Sequence, residues 1–317
     1  MVSLPKLAIL LAGASLSQAH LVFVRLAHNG VWQPPLRFIR NNTSPFQEDP
    51  SGGRTAESWW ASPTWPTDAP NSVRCGRDNM GWANKTDVLK VKPGDTMEFV
   101  LTGASLEPWT WDNEDLVQWD NCPEGRGACN TRSNNTDKSI RPFKVIHPGS
   151  VIMHLSKVPA GQDVHAYDGS GEWVKIYTLG LEIRKDLWPD VVYWLPLNGA
   201  ELPPRFIATI PKQTPGGQYL LRVDQSVLGQ YGVDPQIYPS CAQIEVVSEV
   251  TGDLPKAVKI PEALQKDSPG MAYVPEHWPN GYTYPGGPLW DGEKLEQDYP
   301  PHKDLSLEDG PPNLSSA

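Results

Sequence analysis

From residue 20 to residue 247 the chain alternates apolar and polar positions in short runs, each closed by Gly, Pro or Asn. His20-Leu21-Val22-Phe23 opens the first run and Asn29-Gly30 turns the chain after it. Val88–Val91, a Pro93-Gly94-Asp95 turn and Thr96–Leu101 read as strand, turn, strand. Further runs follow at Ser150–Leu155, Trp173–Tyr177, Arg205–Ile210 and Gln218–Val223, the last two separated by Pro215-Gly216-Gly217. Cys241–Val247 is the last clear one. With 33 prolines and 27 glycines, long helices are interrupted everywhere, so the prediction is all-β, an antiparallel β-sandwich with long loops.

Two stretches break the alternation. Residues 41–72 are polar and Pro-rich and hold Trp59, Trp60 and Trp65. Residues 103–143 hold Trp109, Trp111 and Trp119. Long irregular segments that carry tryptophans are expected to be ordered and functional. Residues 255–290 are extended, with Tyr273, Trp278, Tyr282, Tyr284 and Trp290 expected to pack along the sandwich. From Asp291 to Ala317 seven acids face two bases among repeated prolines, which predicts a disordered tail. There is no internal repeat and no coiled-coil period, and a monomer is expected.

Residues 1–19 have the layout of a secretory signal: Lys6, an apolar run from Leu7 to Ala14, then Ser17 and Ala19 as a cleavage site. The predicted organisation is therefore signal 1–19, one domain 20–290 and tail 291–317. No other apolar run is long enough to span a bilayer, so a soluble, secreted chain is expected. Against 37 acids the 27 basic residues leave a net charge of −10, which argues against nucleic acid and anionic membranes as partners.

Export also frames the cysteines and the sequons. Four cysteines suggest two disulfides, with three possible pairings. Cys122 and Cys129 look like a local staple, which leaves Cys75 with Cys241. Asn41, Asn42, Asn84, Asn134 and Asn313 are candidate glycan acceptors.

Cleavage after Ala19 would make His20 the first residue and give it two adjacent nitrogen donors, the α-amine and the imidazole. An α-amine titrates near ~7.7–8.0, so it is easily deprotonated for a metal. Nitrogen donors in a plane suit copper best. A second ligand must come from the other histidines. His147 sits at a turn entering a strand, where ligands are usefully placed. His154 alternates within that strand and reads as a packed histidine. His28, beside the Asn-Gly turn, reads as exposed, and His165, His277 and His302 lie in polar or Pro-rich stretches.

The order of short motifs is more specific than any one of them. They are His20-Leu-Val-Phe with Asn29-Gly30, Arg74-Cys75, Lys92-Pro-Gly-Asp-Thr96 and His147-Pro-Gly-Ser-Val151. Asp168-Gly-Ser-Gly-Glu-Trp-Val-Lys-Ile176, Pro215-Gly-Gly-Gln-Tyr-Leu-Leu-Arg222 and Gln236-Ile-Tyr-Pro-Ser-Cys-Ala-Gln-Ile244 follow, and Tyr282–Pro288 matches a closing segment. In this order they resemble the fungal copper-dependent lytic polysaccharide monooxygenases of auxiliary activity family 9, formerly glycoside hydrolase family 61. The resemblance implies an immunoglobulin-like (fibronectin III-like) sandwich with one copper ion on a flat face. It implies His20 and His147 as ligands, Tyr238 near the axial position and Gln236 as a hydrogen-bond donor to a reacting oxygen. It also implies a polysaccharide surface as partner, an external electron donor, O2 or H2O2, and hydrogen abstraction at C1 or C4 of a β-1,4-glucan. Tyr282, Tyr284, Trp59, Trp60 and Trp109 are the aromatics to test for stacking on sugar rings.

The sequence departs from the family pattern in one important place. A histidine usual between the Tyr-Leu-Leu-Arg motif and the Gln-x-Tyr pair is missing, and none occurs between His165 and His277. General acid catalysis contributes typically 10²–10⁴-fold, so slower turnover is expected unless another group substitutes. Gln225 and Gln230 are candidates for the hydrogen bond. Ser150 also replaces a usual proline. Two alternatives compete with a working monooxygenase: a secreted, wall-associated copper protein that has lost turnover, and a carbohydrate-binding module without metal.

Overall fold

The computed structural model describes residues 21–42, 63–103, 128–129, 149–184, 191–194, 196, 206–229, 234–272 and 282–298. Its strands in chain order are β1 (Leu21–His28), β2 (Val31–Trp32), β3 (Leu89–Val91), β4 (Thr96–Gly103), β5 (Ala128–Cys129), β6 (Gly149–Lys157) and β7 (Val174–Leu179). They continue as β8 (Leu181–Arg184), β9 (Val191–Trp194), β10 (Phe206–Thr209), β11 (Gly217–Val227), β12 (Gln236–Val246), β13 (Leu289–Trp290) and β14 (Leu295–Glu296). Two short helices, α1 (Pro70–Cys75) and α2 (Asn79–Ala83), lie between β2 and β3.

One sheet runs β10-β4-β1-β2, with β5 also on β4. The other runs β14-β13-β7-β6-β11-β12-β3, and β8 and β9 form a separate hairpin. Most pairings are antiparallel, as predicted, but β3 joins β12, β5 joins β4 and β13 joins β7 in parallel. Between the two sheets lies the main core, with Phe23, Leu26, Met97 and Phe99 from one and Val151, Met153, Leu155, Leu221 and Val223 from the other. Phe23 and Phe206 meet edge to face at 6.0 Å.

The larger sheet is covered on its outer side as well. Val73, Cys75, Val164, Tyr167, Trp173, Leu220, Ile237, Cys241, Ile260, Leu264 and Met271 form a second apolar cluster there. That accounts for β11, buried along nearly its whole length. Its side chains alternate between the two cores, so both faces of the strand are dry. The Cys75–Cys241 disulfide ties α1 to β12 and closes a loop of 166 residues, as the sequence predicts. The partner expectation for Cys122 lies outside the described residues.

The chain stays ordered past residue 290. β14 pairs with β13, and Asp298 is buried against Lys175 at 2.8 Å. The domain therefore extends to at least Asp298, and the expected tail boundary at Asp291 is corrected. The acids from Asp291 to Asp298 read as a solvated run, yet the last of them has a buried lysine to neutralise it.

Candidate metal and substrate end of the sandwich

Strand starts converge at one end of the larger sheet. Gly149, where β6 begins, is across from Val227 at the end of β11, and Val227 is across from Gln236 at the start of β12. The approach is close: a Cβ on Gly149 would lie 2.0 Å from the Ser226 carbonyl oxygen, so only glycine fits there.

β1 shares the direction of β12. After β1 the chain folds back on it (Gln33 N to Leu26 O at 2.9 Å, Leu36 N to Val24 O at 2.8 Å). It then runs antiparallel to β12 (Gln243 N to Phe38 O at 2.8 Å, Arg40 N to Cys241 O at 2.9 Å). Two antiparallel relations set β1 and β12 in the same direction. His20, immediately before β1, and His147, two residues before β6, lie outside the described residues; so do Trp59, Trp60, Trp109, Gln230, Asn134 and Asn313. Among the described residues no group of three or more His, Cys, Asp or Glu side chains is placed to hold a metal.

Gln236 and Tyr238 are described. Two apart on one strand, they point to the same side. The Tyr238 hydroxyl donates to Gln236 Oε1 at 2.9 Å, which occupies the amide oxygen and leaves the amide nitrogen as the remaining donor. Burial pushes the Tyr238 phenol well above its ordinary range, and the Arg77 charge opposes this. A phenol kept neutral is a poor anionic ligand, so it suits a position beside a metal better than direct coordination. Of the described residues, Gln236 and Tyr238 bring an amide and a neutral hydroxyl to this end; the nitrogen donors that the sequence suggests for copper lie outside the described residues. Gln225 is directly across from Tyr238 and is fully buried.

Tyr282 and Tyr284 do not present their rings to solvent, and their assignment to sugar stacking is corrected. They are 6% and 1% exposed, packed with Leu181, Trp194 and Leu228. Tyr284 is clamped at both ends of its hydroxyl, accepting from Leu181 N at 2.6 Å and donating to Leu181 O at 3.0 Å. The apolar packing expected for this segment is what the rings do.

The sequons sort by exposure. Asn41 is buried, with 3% of its surface exposed, and has no room for a glycan, which corrects that expectation. Asn42 is half-buried and Asn84, just after α2, is exposed.

A buried ionic network on the outer face of the larger sheet escaped the sequence reading. Arg222 pairs with Asp224 and donates to the Arg74 carbonyl at 2.8 Å. Ser226 donates to Asp224 at 2.6 Å. Lys175 reaches Asp298 and the Pro285 carbonyl, and Thr178 donates to Asp298 at 2.6 Å. His154, fully buried between these groups, donates from Nε2 to the Gly286 carbonyl at 2.9 Å. Its visible signal in the sequence is the alternation Arg222-x-Asp224-x-Ser226 inside an apolar strand.

Comparison with known proteins agrees with this architecture. The profile of Auxiliary Activity family 9 (formerly GH61) matches residues 20–284. The chain belongs to Auxiliary Activity family 9. It is similar to AA9 family lytic polysaccharide monooxygenase G of Aspergillus tamarii, with 29% identity over 92% of this chain and 72% of that protein. Lytic polysaccharide monooxygenase D of the same organism is 26% identical over 89% of this chain and 84% of that one. Among solved structures, a cellulose-active polysaccharide monooxygenase from M. thermophila shares the fold. Its TM-score is 0.53 and its identity 21%, over 86% of this chain and 99% of that one. As a member of AA9 the chain is a copper-dependent oxidoreductase of the lytic polysaccharide monooxygenase class, a monooxygenase acting on polysaccharide. Among the described residues no helix is long and apolar enough to cross a membrane.

Proposed function

We propose that this AA9 member is a secreted enzyme that binds one copper ion at the strand-start end of the sandwich and oxidatively cleaves a β-1,4-linked glucan such as cellulose. Hydrogen would be removed at C1 or C4. The observation that carries the reading is the common direction of β1, β6 and β12 at that end, with Gln236 and Tyr238 side by side on β12.

His20, through its α-amine and ring, and His147, through its ring, would hold the copper. When bound, copper supplies the one-electron chemistry that activates O2 or H2O2 with electrons from an external donor. Tyr238 stays protonated and fills the space beside the site. By occupying Gln236 Oε1 its hydroxyl turns the amide nitrogen toward the co-substrate, to which Gln236 donates a hydrogen bond. Trp59, Trp60 and Trp109 remain candidates for stacking on the polymer.

A second reading, copper retained and turnover lost, is favoured by the absence of any histidine between His165 and His277. One experiment separates the two. Copper titration of the chain starting at His20 is followed by mass spectrometry for oxidised oligosaccharides from cellulose with a reductant. Tight binding with oxidised products supports the proposal. Tight binding with no product from cellulose, xyloglucan or xylan supports the second reading. Failure to bind copper overturns both.

A further inference from the structure

Arg77 lies just after the Cys75–Cys241 bridge, between α1 and α2, outside every motif that marks the family in this sequence. What connects it to the candidate site is the segment Pro63–Trp65. Thr64 and Ile237 exchange backbone hydrogen bonds at 2.8 and 2.9 Å in an antiparallel bridge, and the Thr64 hydroxyl adds a third at 3.1 Å. Antiparallel register places Pro63 across from Tyr238 and Trp65 across from Gln236. Arg77 donates to the Pro63 carbonyl at 2.6 Å, so its guanidinium is tethered in the row that carries Tyr238.

The tether is buried and charged. Arg77 and Asp68 are each only 5% exposed and approach to 4.0 Å. Asp68 also accepts from Trp65 N at 3.1 Å, and its own N–H donates to Trp65 O at 2.9 Å. The carboxylate therefore holds both the turn carrying Trp65 and the cation beside Pro63. Burial draws the Arg77 guanidinium down to about 10, with Asp68 and Tyr238 opposing, so it stays cationic at neutral pH. A cation near a phenol attracts the oxygen lone pairs and repels the hydroxyl proton. The Tyr238 proton is directed to Gln236 Oε1, and a cation in the row of Tyr238 favours an orientation that turns the proton from the charge.

We propose that Arg77, held by Asp68 and the Pro63 carbonyl, is a positioning residue for the Gln236–Tyr238 pair. Its charge fixes the direction of the Tyr238 hydroxyl and so keeps the Gln236 amide nitrogen as the remaining donor. It contributes a buried positive charge to a site that lacks the family's usual histidine. This inference rests on the reading of Gln236 and Tyr238 as working residues.

The test uses the full secreted chain with Arg77→Gln, Arg77→Lys and Asp68→Asn. In the metal-free, ¹⁵N-labelled protein the Gln236 side-chain amide resonances, assigned with Gln236→Glu, are expected to move in R77Q and to stay in R77K. In the copper-loaded protein the Cu(II) EPR parameters are expected to change in R77Q and return in R77K, with kcat lowered about tenfold and KM within about twofold. If R77Q does not fold, R77K and D68N carry the test: R77K keeps the wild-type resonances and EPR signal, whereas D68N, which frees the cation from its partner, shifts both. Unchanged Gln236 resonances and EPR parameters, with loss of melting temperature alone, would show a packing residue and overturn the proposal. Absence of copper binding by the wild-type chain would refute the copper reading instead, and the metal-free resonances would still decide the role of Arg77.

Discussion

Replacing His154 by Gln should abolish a pH dependence of stability that the wild-type fold builds in. His154 is fully buried and donates from Nε2 to the Gly286 carbonyl, and its Nδ1 has no partner. Burial holds the imidazole well below its ordinary 6.5, and the positive charges of Arg222 and Lys175 push it the same way. The bond to Gly286 only partly opposes them. Two cations and two carboxylates already balance the network, so a proton on His154 would be an unmatched buried charge. The unfolded chain takes that proton below about pH 6.5 and the folded chain does not. Stability is therefore fully present above 6.5 and falls with decreasing pH, by about 1.4 kcal/mol per unit, until the folded value is reached. At pH 4.5, if the folded site is still neutral, the loss is about 2.7 kcal/mol.

Gln keeps an N–H2 donor for Gly286 and does not titrate. Imperfect replacement of the bond should cost H154Q about 1 kcal/mol at pH 8. Urea unfolding followed by tryptophan fluorescence from pH 4.5 to 8 gives both curves. Carboxylates elsewhere act on both proteins and cancel in the difference. The wild-type advantage should shrink below pH 6.5, and the curves should cross between about pH 5 and 6. Parallel curves would mean that His154 binds its proton equally well folded and unfolded, and the argument from burial would be wrong.

The other predictions concern anchors of the same face and the chain surface. Asp298→Asn should destabilise by about 3–5 kcal/mol, because it leaves the Lys175 ammonium buried without its carboxylate. The pair Lys175→Met with Asp298→Leu should cost less than the single change, read from denaturant midpoints. Replacing Cys75 and Cys241 together by Ala releases a closed loop of 166 residues, and the chain-entropy argument puts the loss near 5 kcal/mol, measured by thermal or chemical unfolding. Peptide mapping of the secreted protein should find a glycan on Asn84 and none on Asn41, and Asn84→Gln should reduce the intact mass by one glycan.

How much of this was legible in the sequence depends on whether a signal is local. The strands at Thr96–Leu101, Ser150–Leu155 and Gln218–Val223 form where the short apolar-polar runs predict, and the long disulfide is the pairing left once Cys122 and Cys129 are read as a local staple. Tyr282 and Tyr284 misled because an aromatic in a Pro-rich segment looks the same whether it faces a polymer or a hairpin. Only the packing against Leu181 and Trp194 distinguishes the two. Asp298 misled for a related reason, since an acid in an acidic run reads as solvated until a buried lysine 123 positions earlier is seen beside it. Arg77 carried no pattern at all: its meaning comes from Pro63, which long-range pairing with β12 brings to Tyr238.

That pairing also explains why so much buried structure surrounds the candidate site. Gln236 and Tyr238 are hydrogen-bonded side by side because they share one face of β12, and a register slip of one residue would turn both to the other face. β12 is paired along its length with β11, bridged by Thr64 at its start, crossed by residues 38–40 and joined covalently to α1 at Cys241. β11 is held in turn by Arg222 and Asp224, whose partners come from α1 and from β11 itself. A one-residue slip would break the disulfide geometry, strand Arg222 without Arg74, and separate Thr64 from Ile237 together. The order of the candidate end thus depends on buried groups on both faces of the larger sheet, and substitutions on its outer face, such as at Arg222 or Asp224, are expected to disturb the Gln236–Tyr238 pair without touching it.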